Sequence, residues 1–382
     1  MRLKSLTFED KRTGWRLENL RLDRFNLLVG ASGVGKTRIL RAIQTVRNLG
    51  RGVDEPYPKQ GVRFDVRFEH EERDYAWQFD SAARDLAPGE DEEGDPLEDS
   101  SSVVLSERLH ISDEGLLVER NQDRFLFRST ELPTLNRSSS ALQLLDEPSI
   151  HHLRQAFAEY FSSAMGAQGS TEIVNTTPGP VAKGFPTLES FRGLTGLHPV
   201  VKAFILQEGS AERFERFKQL FIDIFPTVED VRVDRRATMG LGRRIREYLS
   251  FKLKERGVPT WIEARDISSG MARTLNHLVD LMLAPAGTVF LIDEFENSLG
   301  VNCMGPLTDF ILSRADDLQF IITSHHPYII NNIPKSYWKL VRRKGSTVRV
   351  TPASEIPALQ GPSAQDDFIR LINSPEFEEG ME

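Results

Sequence analysis

The sequence predicts an α/β protein: a mixed, mostly parallel sheet with helices, carrying an antiparallel β lobe and an inserted helical lobe. Three observations lead there. "RFNLLVG" runs as an apolar strand into a glycine-rich loop and then a helix. From residue 270 helical and strand patterns alternate through "MARTLNHLVDLML", "TVFLID", "MGPLTDFILSRA" and "QFIITS", the order that builds a parallel sheet. Between these ends, "VRFDVRFEHE" and "DYAWQFDS" (residues 61–82) alternate with period two, as half-buried antiparallel strands do.

The remaining elements follow from the same periodicities. Residues 2–8 and 15–22 alternate as edge strands. "KTRILRAIQTVRNL" places Ile39, Leu40, Ile43 and Val46 at helical spacing, with Gly50 as the stop signal. "SSSALQLL", "SIHHLRQAFAEYFSSAM" and "AERFERFKQLFIDIF" predict helices, and the Gly-, Pro-, Thr- and Ser-rich residues 166–190 a loop. "VEDVRVD" and "YLSFKLKE" predict strands, and "YWKLVRRKGSTVRVTP" a hairpin turning at Lys344-Gly345-Ser346. The expected organisation is a first core half with the β lobe over 1–82 and an acidic loop over 83–102. An inserted helical, regulatory lobe follows over 103–264, and the second core half over 265–382. The parallel elements at the two ends are expected to share one sheet.

Composition narrows the class. Of 382 residues, 39% are hydrophobic and 27% charged, ordinary for a globular protein. No apolar run reaches the roughly 20 residues that span a bilayer, and "MRLKSLTFED" has no apolar signal core. Cys303 is the only cysteine, so disulfides within the chain and Cys-rich metal sites are excluded. A cytoplasmic location without a membrane partner is expected. The net charge of −8 equals the acids Asp85, Glu90, Asp91, Glu92, Glu93, Asp95, Glu98 and Asp99. The rest of the chain is therefore neutral, and nucleic acid stays open as a partner.

"GASGVGKT", Gly30 to Thr37, fits G-x-x-x-x-G-K-[ST] between a strand and a helix. Gly33 and Gly35 let backbone N–H groups wrap a phosphate chain. Lys36 is expected to neutralise the β- and γ-phosphates of ATP and the Thr37 hydroxyl to take a position on Mg2+. Ser32 and Arg38 complete the expected ATP contacts on this loop. "TVFLIDEFENSL" ends an apolar strand with Asp293 and Glu294. Two adjacent acids there are costly unless a cation or water uses them: Asp293 for Mg2+, Glu294 to polarise an attacking water. "FIITSHHPYII" puts His325 and His326 after the next strand, where one imidazole would reach the γ-phosphate. No cluster at zinc-ligand spacing accompanies the pair.

"RDISSGMARTL" opens a helix upstream of the acidic strand with Ser268, Ser269 and Gly270. Read alone, it is a helix N-cap. Its order among the other motifs resembles the ATP-binding-cassette ATPases, and more closely their soluble SMC-like and OLD-like branch, the "AAA" domains of bacterial defence and DNA repair. Ile267-Ser268-Ser269-Gly270 resembles the signature loop, with Ser269 where transporters have glycine and Met271 replacing glutamine. Asp293-Glu294-Phe295-Glu296-Asn297-Ser298-Leu299 resembles the acidic motif, and Thr323-Ser324-His325-His326-Pro327 the histidine switch. The likeness covers residues 1–50 and 265–340.

The resemblance implies an ABC-type P-loop ATPase core, with His325 as the switch and a head-to-tail homodimer or higher homo-oligomer. Ser268, Ser269 and Gly270 would then contact the ATP bound by the second copy. Two departures stand out. The family's Mg2+-associated glutamine has Gln122 and Gln143 as its candidates, and Gly300 stands where relatives often have histidine. The stretch after His325 has no Asp-x-Asp, so a nuclease or toxin effector is expected on another polypeptide. The function expected is an ATPase that controls such an effector, in anti-phage defence. The alternative is a repair or segregation ATPase acting on DNA, for which Arg232, Arg235, Arg236, Arg243, Arg244, Arg246, Lys252, Lys254 and Arg256 supply a basic cluster. A transporter cassette fits less well, because the glycine-glycine-glutamine signature is missing.

Overall fold

The structure, a computed structural model, describes residues 1–52, 60–83, 102–133, 136–163, 172–175, 197–239, 245–297 and 299–359. The chain divides into two units, Met1–Phe161 with Gln319–Glu382, and Ser162–Leu318.

The first unit opens with β1 (Arg2–Asp10), β2 (Trp15–Arg21), β3 (Phe25–Val29) and α1 (Lys36–Arg51). An antiparallel run follows: β4 (Val62–His70), β5 (Arg73–Ala83), β6 (Ser102–Ile111), β7 (Gly115–Arg120), β8 (Phe125–Phe127) and β9 (Thr130–Leu132). Two helices, α2 (Ala141–Leu144) and α3 (Pro148–Glu159), end this part. The chain re-enters the unit with β15 (Gln319–Thr323), α8 (Pro327–Asn332), β16 (Trp338–Lys344) and β17 (Thr347–Pro352). Its sheet has the order β15-β3-β16-β17-β2-β1-β4-β5-β6-β7-β8-β9.

Strands β15, β3 and β16 are mutually parallel. Beyond the β16–β17 hairpin, β17 joins β2 in parallel, and every pairing from β2 to β9 is antiparallel. The two chain ends thus share one sheet. Gln319 locks them together: its side chain accepts from the Leu3 N–H and donates to the Leu3 carbonyl, both at 2.8 Å. Strand β3 is buried at all five positions, which explains its nearly continuous apolar run; its one polar residue, Asn26, donates to the Phe320 carbonyl of β15 at 2.9 Å. Strand β4 alternates between buried and more exposed positions; Phe64 meets Trp77 edge-on at 4.9 Å and stacks on Phe79 at 5.3 Å. Each buried aromatic of this kind contributes roughly 1.5–3 kcal/mol.

Three expectations need correction. Strands β1 and β2 are interior, because β4 and β17 flank them. Helix α1 runs through Gly50 and stops at Gly52, whose left-handed backbone (φ 66°) lets its N–H bond the Leu49 carbonyl at 3.2 Å. Gly50 faces Phe157 of α3 so closely that a Cβ would lie 2.5 Å from the ring; it marks a packing contact. Residues 103–132, assigned to the helical lobe, carry strands β6–β9 of the sheet.

At the junction of the units lies β10 (Phe161–Ser163). The second unit contains β11 (Glu172–Asn175), α4 (Pro199–Gly209), α5 (Ala211–Ile224), β12 (Val228–Met239) and β13 (Ile245–Glu255). Helix α6 (Ser269–Leu283), β14 (Val289–Ile292) and α7 (Val301–Ser313) complete it. Strands β11, β13 and β12 form an antiparallel sheet. Helix α4, which the periodicity did not reveal, is buried on nearly all sides. Its Lys202 pairs with Asp280 of α6 at 2.6 Å. The acidic loop and most of the expected 166–190 loop lie outside the described residues.

Candidate functional site

In the first unit, β3 delivers the chain to Gly30. A Cβ there would lie 2.5 Å from the Val341 carbonyl oxygen of β16, so only glycine lets the loop leave the sheet beside that strand. Lys36 begins α1 and folds back: its Nζ donates to the carbonyls of Gly30 at 2.8 Å and Ala31 at 2.9 Å. Gly35, at φ 107°, occupies the helix N-cap, without a side-chain cap, and the first turn contains no acid. Ser32 and Arg38 are exposed, and Thr37 is half-buried. A lysine folded over a glycine loop at an uncapped helix start suits a bound phosphate anion.

Strand β15 pairs β3 with Thr323 opposite Leu28, so the residues after Thr323 leave the same sheet edge as the phosphate loop. The two histidines there stand in different surroundings. Nδ1 of His326 accepts from the Tyr328 N–H at 3.2 Å and caps α8. His325 is exposed.

Two residues beside this loop were missed by sequence reading. Nη1 of Arg343 lies 3.5 Å from the Gly33 carbonyl, and its Nε donates to the Gly345 carbonyl at 2.7 Å. The Trp15 indole nitrogen is buried without a hydrogen-bond partner among the described residues, 3.5 Å from where a Gly35 Cβ would stand. Trp15 arrives on β2 and Arg343 on β16, the strand beside β3, through strand pairings for which local sequence carries no signal.

In the second unit, the four buried residues of β14 lead to Asp293 and Glu294. Glu294 adopts a left-handed backbone, φ 45°, which costs a non-glycine residue about 1–2 kcal/mol. The Asn297 N–H donates to its carbonyl at 2.8 Å, and Asn297 Nδ2 to its Oε2 at 3.3 Å. Helix α6 is tied to the same turn. Arg273 Nη2 donates to the carbonyls of Asp293 at 3.2 Å and Glu294 at 3.1 Å, while its Nε donates to His277 Nε2 at 3.3 Å. Burial lowers the Arg273 pKa against the carboxylates of Glu296, Glu294 and Asp293. Burial, then the Arg273 charge, lowers the His277 pKa to about 3, so its ring stays neutral and accepts. Sequence reading missed this pair; its only trace was Arg273 and His277 at helical spacing on an otherwise apolar face.

Ser268 caps α6 by accepting from the Met271 N–H at 3.3 Å. Ile267 is buried beneath, and Ser268 and Ser269 are exposed. The local N-cap role is therefore real, and it presents two serines to the outside. Ser298 lies outside the described residues, and Gly300 is the N-cap of α7. Of the glutamine candidates, Gln143 is engaged in a capping box with Ser140, its Oε1 accepting from the Ser140 N–H at 3.1 Å. Gln122 sits in an exposed turn.

Arg232, Arg236 and Lys252 of the basic cluster pair with acids of their own unit. Arg232 bonds Asp234 at 2.9 Å and covers the Trp261 ring at 4.1 Å. Lys252 bridges Asp234 and Glu263, each at 2.9 Å, and Arg236 reaches Glu263 at 3.3 Å. Arg243 and Arg244 lie outside the described residues, as does the side chain of Arg246.

The fold is that of an ABC-type P-loop ATPase, as SMC heads have it. Residues 191–331 match the family described as "AAA domain, putative AbiEii toxin, Type IV TA system". Among solved structures, the SMC head bound to the C-winged helix domain of ScpA is similar at 12% identity and TM-score 0.51, over 92% of this chain and 97% of that one. The SMC head domain from Thermotoga maritima gives 11% and 0.43, over 92% and 99%. The Smc head with an extended coiled coil bound to the C-terminal domain of ScpA, derived from Pyrococcus furiosus, gives 11% and 0.47, over 92% and 96%. At these identities the likeness is one of fold. No curated protein matches the sequence. Among the described residues no helix is long and apolar enough to cross a membrane.

Proposed function

We propose that this chain is an ATP-binding and ATP-hydrolysing ABC-type ATPase that dimerises on ATP and controls a separate effector protein in anti-phage defence. The observation that carries this reading is the phosphate loop, where Lys36 is held over the Gly30 and Ala31 carbonyls at the uncapped start of α1.

On this reading Lys36 neutralises the β- and γ-phosphates, and loop N–H groups around Gly33 and Gly35 cradle them. Thr37 and Asp293 hold Mg2+, which supplies charge neutralisation at the phosphate oxygens. Glu294 polarises the attacking water and His325 donates to the γ-phosphate. Ser268, Ser269 and Gly270 reach the nucleotide of a second copy. Control of a separate effector is supported by the matched family, whose description names a toxin–antitoxin system.

The test is Glu294→Gln. With ATP it should accumulate a dimer that retains unhydrolysed nucleotide, read by size exclusion and by the nucleotide released on denaturation. Wild-type turnover in that variant would exclude Glu294 as the polarising base.

The fold shared with SMC heads favours a second reading, direct action on DNA. It carries less weight, because Asp234 and Glu263 already offset part of the charge of Arg232, Arg236 and Lys252. DNA-stimulated hydrolysis would reverse that order.

A further inference from the structure

A cluster in the first unit takes no part in the nucleotide chemistry. Strand β4 ends at His70 and β5 begins at Arg73, its register partner. Glu71 (φ 49°) and Glu72 (φ 64°) between them form a two-residue turn with both residues left-handed, the geometry of a type I′ hairpin. Across from this turn lies His152 of α3. Glu71 Oε2 is 3.2 Å from His152 Nε2, and Oε1 is 4.0 Å from His70 Nε2. The imidazole rings are 5.0 Å apart, and one ligand atom from each of the three residues lies within 4.8 Å of the others.

His70 is the telling member. It is only 4% exposed, and its Nδ1 is buried with no hydrogen-bond partner among the described residues. Its Nε2 faces a carboxylate too distant for a hydrogen bond. Two imidazoles and a carboxylate are a donor set for a borderline divalent cation, whereas Mg2+ prefers oxygen alone.

We propose that His70, Glu71 and His152 bind one zinc ion, clipping the β4–β5 turn to α3 with water in the open fourth position. Ligand atoms around tetrahedral zinc, with bonds of about 2.0–2.1 Å, stand roughly 3.4 Å apart. The Glu71–His152 pair already meets that spacing; a rotation of the exposed Glu71 side chain brings its carboxylate to His70, and a turn of the half-exposed His152 ring closes the distance between the two imidazoles. The ion would brace α3, whose Phe157 packs against Gly50 of α1.

The experiment uses the full, untagged chain, stripped with chelator and titrated with ZnCl2 by calorimetry. One zinc per chain is expected, and its affinity should be unchanged in Lys36→Ala, which separates this site from the nucleotide site. Glu71→Gln and His152→Gln alter exposed or half-exposed ligands without touching the core. Each should weaken binding by at least the roughly 10–100-fold that loss of an outer-shell partner costs a metal site. His110→Gln, at an exposed position on β6, should bind as wild type. No zinc uptake by the wild-type chain, or undiminished affinity in either ligand variant, overturns the proposal.

Discussion

Nη2 of Arg273 donates to the main-chain carbonyl of Glu294 at 3.1 Å, so a buried guanidinium on α6 holds the turn that carries the candidate catalytic acid. The same nitrogen reaches the Asp293 carbonyl, and Nε rests on neutral His277. A left-handed Glu294 persists only where its surroundings over-determine it. Arg273 is the group that does so from the helix opened by Ser268.

Arg273→Lys keeps the charge and removes the fork. One ammonium cannot serve two carbonyls and His277 together, so Glu294 should lose its aim. We expect kcat for ATP hydrolysis to fall about 100-fold while nucleotide affinity, measured by calorimetry, stays within about twofold. A fall in affinity with kcat unchanged would place Arg273 outside the positioning of Glu294.

Lys36→Ala should abolish ATP binding, and Ser268→Arg should block the contact proposed with the second copy's nucleotide. Each variant alone should be inactive. Mixed, they should regain part of the activity, because one of the two composite sites in a heterodimer is intact. Absence of complementation in a titration of the two would count against the head-to-tail arrangement.

The two histidines after β15 should separate cleanly. His326→Ala removes the α8 cap and should cost about 1 kcal/mol of stability with ATP hydrolysis retained. His325→Ala should leave stability unchanged and lower kcat about 100-fold, the order seen when a single transition-state donor is lost. The reverse pattern, read from urea unfolding and steady-state rates, would make His326 the switch.

Glu107 of β6 supplies a pH dependence. Burial raises its pKa from 4.5 to about 7, although the Ala141 N–H, the Trp77 indole and Arg120 pull the other way. Between pH 4.5 and 7 the folded chain therefore holds a proton that the unfolded chain has released. Stability due to this group should fall as pH rises through that window, by about 3 kcal/mol at most, and level off above it. Urea unfolding at pH 5 and pH 7.5 should show this fall in the wild-type chain and lose it in Glu107→Gln. An equal slope in both would assign it to other groups.

Sequence reading went furthest where a motif is local. The glycine loop, the acids after β14 and the histidines after β15 each depend on a strand end and a few following residues, and periodicity places all of them. It failed where a role depends on a neighbour distant in the chain. Gly50 read as a helix stop because glycine usually is one; Phe157, more than a hundred positions away, gives it its purpose. Strands β6–β9 were missed beyond the acidic loop: β8 and β9, three residues each, carry little pattern of their own, whereas the ten-residue β6 alternates legibly in "SVVLSERLHI" and was overlooked.

From the order of its residues alone, this chain specified an α/β core and the glycine- and lysine-bearing loop between β3 and α1, because strand and helix periods and loop dihedrals are set within a few residues. Tertiary structure decided which backbone needs those glycines, as the Val341 carbonyl does against Gly30. It also decided that Arg273 and His277 hold the Glu294 turn, and that His70, Glu71 and His152 meet. Such contacts arise from strand register and helix docking, which bring together side chains that no local period relates.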